Sequence, residues 1–115
     1  MIRKATAADE MQIRECAVKA YARYVQRIGR VPAPMVADYA SQIAAGYVFI
    51  ATDDQGTFQG FVVFYAEDDH MLLENVAVLP EAAGHGVGRT LIAFCENAAR
   101  DRGLRAVHLY TNEMM

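Results

Sequence analysis

The sequence predicts one α/β domain, a mixed sheet carrying helices, on three observations. The spacing of apolar residues switches from helical to alternating and back again along the chain. Glycine, proline and aspartate clusters fall at the switches. No repeat, low-complexity tract or linker divides the 115 residues, so residues 1–115 form a single unit large enough for one packed core.

Each element has its own signal. Ile2 to Lys4 is short, but it precedes Thr6-Ala7-Ala8-Asp9, where Thr6 can accept from an orphan helix N–H. Ile13, Ala17, Ala20, Tyr21 and Tyr24 then recur at helical spacing, which predicts a first helix to about Arg27. Gly29, Pro32 and Pro34 break it. A second helix is expected from about Ala33, with Val36, Tyr39, Ala40 and Ile43 on one face and Gly46 as its stop.

Tyr47 to Thr52 is β-branched and aromatic, Asp53-Asp54-Gln55-Gly56 is turn chemistry, and Phe58 to Ala66 is strand-like again. A polar turn over Glu67 to His70 leads to a further strand, Met71 to Leu79. From Val87 the period is helical, with Leu91, Phe94, Cys95 and Ala98 on one stripe, and Gly103 ends that helix. Ala106 to Thr111 is the last strand. The order is β-α-α-β-β-β-α-β, and the crossover through the third helix sets the last two strands parallel and right-handed.

Composition narrows the function. A net charge of −3 disfavours nucleic acid as the main partner, because a phosphate-tracking surface needs a basic excess. No apolar run approaches the roughly 18–20 residues of a membrane span. The start, Met-Ile-Arg-Lys-Ala-Thr, carries no signal-peptide core, which makes the cytoplasm the expected location. Cys16 and Cys95 lie in helical patterns without metal or CxxC spacing and read as small apolar fillers. The three histidines are scattered singly, and no metal site is expected.

The chemistry concentrates between Glu74 and Leu91. A strand runs into Pro80, then Gly84-His85-Gly86-Val87-Gly88 places three glycines at alternate positions ahead of a helix. Such a loop aims backbone N–H groups and the positive end of a helix dipole at an anion. It is not a Walker A loop, which needs four residues between its glycines and a lysine where Arg89 stands. It is not a dinucleotide fingerprint either, whose third glycine would fall at Arg89. A cation in the first turn opposes the helix dipole, so Arg89 is better explained by a bound anion than by helix stability.

Taken with Leu73-Glu74-Asn75-Val76-Ala77-Val78-Leu79-Pro80-Glu81, Gly84-x-Gly86-Val87-Gly88-Arg89-x-Leu91, Gly103-Leu104 and Val107-His108-Leu109-Tyr110-Thr111, the chain resembles the GNAT family of acyl-CoA-dependent N-acetyltransferases. The resemblance extends over essentially all residues and includes the element order.

It implies an acyl-CoA N-acyltransferase-like fold and acetyl-CoA as cosubstrate. The pantetheine arm enters a gap between the last two strands and pairs with the backbone of Val76, Ala77 and Val78. The pyrophosphate rests on the amides of Gly84, His85, Gly86, Val87 and Gly88 and on the helix start at Arg89 and Thr90. Ala83 stands where the family usually has Arg or Gln, which removes one polar contact.

The reaction implied is direct attack of an unidentified primary amine on the thioester. Glu74 is the candidate base; a solvated or salt-bridged strand carboxylate is the competing reading. Its neighbour Asn75 is expected on the opposite face by strand alternation. Tyr110 could serve as a substitute acid, although a packed sheet tyrosine is the simpler reading. Tyr21, Tyr24, Arg27 and Arg30 are candidates for acceptor contact, the tyrosines reading first as core and the arginines at least as readily as a solvated charged face. Family members continue into a further helix and two strands, so a homodimer is expected to cover the last strand. The alternative functions are a non-catalytic acyl-CoA-binding or assembly module, and a structural oligomer with a vacant loop.

Overall fold

A computed structural model describes residues 1–28, 37–104 and 106–109, the side chains of 22–28 and 109 excepted. Strand β1 (Ile2–Lys4) leads through a 3-10 turn at Ala7–Asp9 into helix α1 (Glu10–Ile28). Helix α2 (Tyr39–Ala44) precedes the strands β2 (Val48–Thr52), β3 (Phe58–Glu67) and β4 (His70–Val78), then α3 (Val87–Asp101) and β5 (Ala106–Leu109). The expected element order holds among these residues.

The entry to α1 is fixed by Asp9. Its carboxylate accepts from the Thr6 amide (2.8 Å) and hydroxyl (3.2 Å), and from both terminal nitrogens of Arg3 at 2.9 and 3.0 Å. The second helix differs from expectation. Asp38 accepts from the Ser41 amide and so sets its start at Tyr39, while Ala37 and Asp38 are not helical and Ala40 is exposed. An Asx cap decides that boundary locally, whatever apolar spacing precedes it. Ala33, Val36, Gly29 and the two prolines lie outside the described residues.

The sheet has the order β1-β2-β3-β4-β5, antiparallel throughout except that β4 and β5 run parallel. Both faces are covered, which gives two cores. On one face α1 and α2 bury Ile13, Cys16, Ala17, Tyr39 and Ile43 against Val48, Ile50, Phe61 and Val63. On the other α3 buries Leu91, Cys95 and Ala99 against Val62, Phe64, Met71 and Leu73. Among the described residues no helix is long and apolar enough to cross a membrane.

The pairing of β4 with β3 is interrupted near its middle. Phe64 pairs with Leu73 but Val63 pairs with Asn75, so Glu74 is left without a partner on β3. This is a β-bulge, and an extra residue inverts the side-chain alternation beyond it. Met71 and Leu73 pack on the α3 side before the bulge, as do Val76 and Val78 after it. Asn75 and Ala77 are thereby turned to the side of α1 and α2.

Candidate active site

The glycine loop is built as a bend around open space. Pro80–Ala82 form a 3-10 turn, Ala83 is extended, and Gly84 and Gly86 both adopt left-handed φ, +84° and +80°. Gly86 is the N-cap of α3. Those φ values are the reason for glycine at both positions. A Cβ on either would meet nothing within 4 Å, so neither glycine is there to avoid a clash. Gly88 is different: a Cβ there would lie 3.5 Å from Val78 Cγ2, which brings the first turn of α3 against the end of β4.

The first helical hydrogen bond of α3 runs from the Thr90 amide to the Gly86 carbonyl at 3.0 Å. Ahead of it, the amides of Gly84, His85, Gly86, Val87, Gly88 and Arg89 have no acceptor among the described residues. The loop borders an open cavity of about 540 Å³ lined by Val78, Ala83, Gly84, Gly86, Gly88 and Arg89. Arg89 is exposed and has no ion-pair partner among the described residues. A row of unpaired amides, a helix N-terminus and a free guanidinium are groups that can bind an anion. His85 is exposed and does not line the cavity, and Val87 buries its side chain beneath the loop.

Thr90 has protein partners for both of its donors. Its hydroxyl donates to the Gly86 carbonyl at 2.9 Å, as its amide does, so both of its donors are committed to the helix. Serine and threonine in helices commonly bond back to the fourth preceding carbonyl.

Along β4, the Leu79 amide donates to the Gln59 carbonyl at 2.9 Å on the β3 side. By antiparallel alternation Ala77 also turns its peptide groups toward β3, while Val76 and Val78 turn theirs to the β5 side. Gly60 reports the same arrangement, since a Cβ there would sit 2.5 Å from the Ala77 carbonyl oxygen. Of the three strand residues expected to pair with pantetheine, Ala77 is therefore occupied by β3. Val76 and Val78 face outward. Pairing of β4 with β5 runs from His70–Ala106 to Leu73–Leu109. The gap expected beyond it falls at Tyr110 and later, outside the described residues.

The bulge sets two polar side chains on one face. Asn75 is buried; its Oδ1 accepts from Tyr21 at 2.9 Å, and its Nδ2 donates to the Tyr39 hydroxyl at 2.9 Å. The Tyr21 hydroxyl also lies 3.1 Å from the Val76 carbonyl, tying α1 to the outward edge of β4. Burial, reinforced by Tyr21, raises the Tyr39 phenol well above its ordinary pKa.

Glu74 lies on the same side. Its carboxylate accepts from Gln42 Nε2 of α2 and from the Tyr65 hydroxyl at 3.0 Å. Alternation would have sent Glu74 and Asn75 to opposite faces; the bulge between Val63 and Phe64 puts them together. Glu74 is half-buried, has no ion-pair partner among the described residues, and accepts from two neutral donors. Sequence reasoning did not single out Asn75, Gln42 or Tyr65 for the site, and no local signal marks them.

The remaining candidates separate cleanly. Tyr21 is buried, as expected of a core residue, but with a polar role for its hydroxyl. The side chains of Tyr24, Arg27, Arg30 and Tyr110 are outside those described. Both cysteines are buried, and burial pushes the Cys16 thiol up to about 12 and the Cys95 thiol to about 11. Neither provides a thiolate near neutral pH.

Residues 12–114 match the model of the acetyltransferase (GNAT) family. The chain belongs to that family. No curated protein matches it in sequence. Among solved structures, the PaiA N-acetyltransferase of Thermoplasma acidophilum, in complex with coenzyme A, superposes with a TM-score of 0.81 at 18% identity. That alignment covers 96% of this chain and 78% of the other. A GNAT family acetyltransferase of Brucella melitensis, in complex with acetyl-CoA, gives 0.73 at 25% identity, covering 97% and 75%. The mixed five-stranded sheet with helices on both faces is the acyl-CoA N-acyltransferase fold.

Proposed function

We propose that this GNAT acetyltransferase transfers the acetyl group of acetyl-CoA to an amine nitrogen by direct attack. The observation that carries the proposal is the unpaired amide run from Gly84 to Arg89, opening on a cavity that also includes Val78. A pyrophosphate bound there lets the pantetheine arm follow β4, pairing with the outward peptide groups of Val76 and Val78. The thioester then arrives near the bulge, where Glu74 waits.

The chemistry asks little more. The amine must be neutral to attack; its nitrogen forms a bond to the thioester carbon, and the C–S bond breaks as the tetrahedral adduct collapses. Glu74 takes the proton that the nitrogen sheds, directly or through one water, a contribution of roughly 10²–10⁴-fold. The leaving thiolate resembles that of cysteine, with an ordinary pKa of about 8.5, so it departs without a dedicated acid and collects its proton from water.

Calorimetric titration with acetyl-CoA, followed by thiol release in the presence of primary amines, tests the proposal. Micromolar binding with amine-dependent thiol release is the expected result. Binding without release from any amine would make the chain an acyl-CoA-binding module. No binding by the folded chain would remove the assignment of the loop.

A further inference from the structure

We infer that Gln42 and Tyr65 are positioning residues for Glu74, holding its carboxylate at the bulge in the one orientation that can accept the acceptor's proton. The inference rests on the proposed role of Glu74 as base.

The two donors reach different oxygens. Gln42 Nε2 binds Oε2 from α2, and the Tyr65 hydroxyl binds Oε1 from β3, so the carboxylate plane is fixed from two elements at once. A bulge residue has no cross-strand neighbour to hold it, and an unrestrained glutamate would sample several rotamers. Burial and the bond to Glu74 push the Tyr65 phenol up to about 12, so it stays a donor throughout the range in which the enzyme would work. The Tyr65 ring itself packs against Tyr47, with centroids 4.8 Å apart and the planes tilted by 31°, which limits its own motion.

Gln42 argues against a purely structural explanation. Turning its Nε2 to Glu74 leaves its Oε1 buried without a partner among the described residues. An orphaned buried acceptor destabilises a fold about as much as one hydrogen bond stabilises it, so this contact brings little net stability. Such groups call for a local reason, and orienting a reactive carboxylate supplies one.

That balance sets the expected outcomes. Gln42→Met keeps the length of the side chain and removes both the donor and the orphan acceptor; it should leave the melting temperature unchanged or raised. Tyr65→Phe removes only a hydroxyl. Each should lower kcat for thiol release from acetyl-CoA, with ethanolamine as the probe amine, about tenfold while KM for acetyl-CoA stays within twofold. Residues that act through another have no effect once it is gone. On a Glu74→Gln background, neither substitution should lower kcat further.

If both still cost tenfold in that background, the positioning role is overturned while Glu74 remains the base. Melting of Gln42→Met well below the wild type also overturns it, because the contact is then structural. If Glu74→Gln retains full activity, or if the wild type binds acetyl-CoA but releases no thiol, the base assignment falls and takes this inference with it.

Discussion

The two halves of the proposed site are built on opposite principles. At the start of α3 the working groups are backbone amides, positioned by two left-handed glycines, and almost no side chain takes part. At the bulge of β4 the working groups are side chains, and the backbone contributes only by breaking its own alternation. A backbone site tolerates most substitutions and fails when something fills its space. A side-chain site fails one residue at a time, usually with a change in stability.

Gly88→Glu should separate the halves most sharply. A Cβ at that position makes an ordinary contact with Val78, and an acidic residue in the first turn suits the helix dipole, so the fold should be kept. The added carboxylate would face the cavity proposed for the pyrophosphate. Affinity for acetyl-CoA should fall at least about 100-fold, or roughly 2.7 kcal/mol, by calorimetry, with the melting temperature within a few degrees. Retained affinity would move the pyrophosphate elsewhere.

The converse substitution is Asn75→Ala. It removes one hydrogen-bond partner from each of Tyr21 and Tyr39 and leaves space in a buried layer. About 2 kcal/mol of stability should be lost in a denaturant titration, while acetyl-CoA still binds within a few-fold of wild type. A collapse of binding equal to that of Gly88→Glu would show that the halves are not independent. The Tyr21 contact to the Val76 carbonyl is the route by which that could happen.

The legibility of each half in the sequence divides along the same line. Alternate glycines before a helix are a local signal, and they mark the loop and its exclusion from the Walker and dinucleotide classes. Strand and helix periods place the helices and strands in their order, because each core face carries its own apolar spacing. The bulge leaves no such mark. Val63, Phe64, Leu73 and Asn75 read as ordinary alternation, and only the register between strands shows that Glu74 is unpaired. Alternation puts Asn75 on the wrong face for that reason, and its tyrosine partners are 54 and 36 residues away in the chain. Ala77 and Thr90 show the same limit in a smaller way. Which peptide groups of a strand face outward, and whether a threonine bonds back to its own helix, are decided by geometry that residue type does not encode.

Acid should weaken the side-chain half before the backbone half. Hydrogen bonds from Arg3, and to a smaller degree from Thr6, hold the Asp9 carboxyl below its ordinary pKa, and that carboxylate anchors the helix carrying Tyr21. A depressed carboxylate contributes stability that is fully present above its unfolded pKa of about 3.9 and is lost as pH falls through the folded value. Arg3 is 47% exposed, so screening limits the contribution to about 1 kcal/mol. Asp9→Asn should lower stability by about that amount at pH 7, and the gap should close below pH 4 in parallel melts.

The smallest effect expected is at Arg89, and its size tests whether the loop is a backbone site at all. The side chain is exposed and without an ion pair among the described residues, free to meet a phosphate but screened by solvent. Arg89→Ala should weaken acetyl-CoA binding only about three- to fivefold, roughly 0.6–1 kcal/mol. The difference from wild type should shrink further as salt rises toward 1 M, where the Debye length falls to about 3 Å. Hydrogen bonds from fixed amides carry no net charge and are less sensitive to salt, so most of the affinity should survive both changes. A loss of 100-fold on removing Arg89 would invert that account. The glycines would then serve to place one guanidinium, and the loop would belong with the bulge as a site made by a side chain.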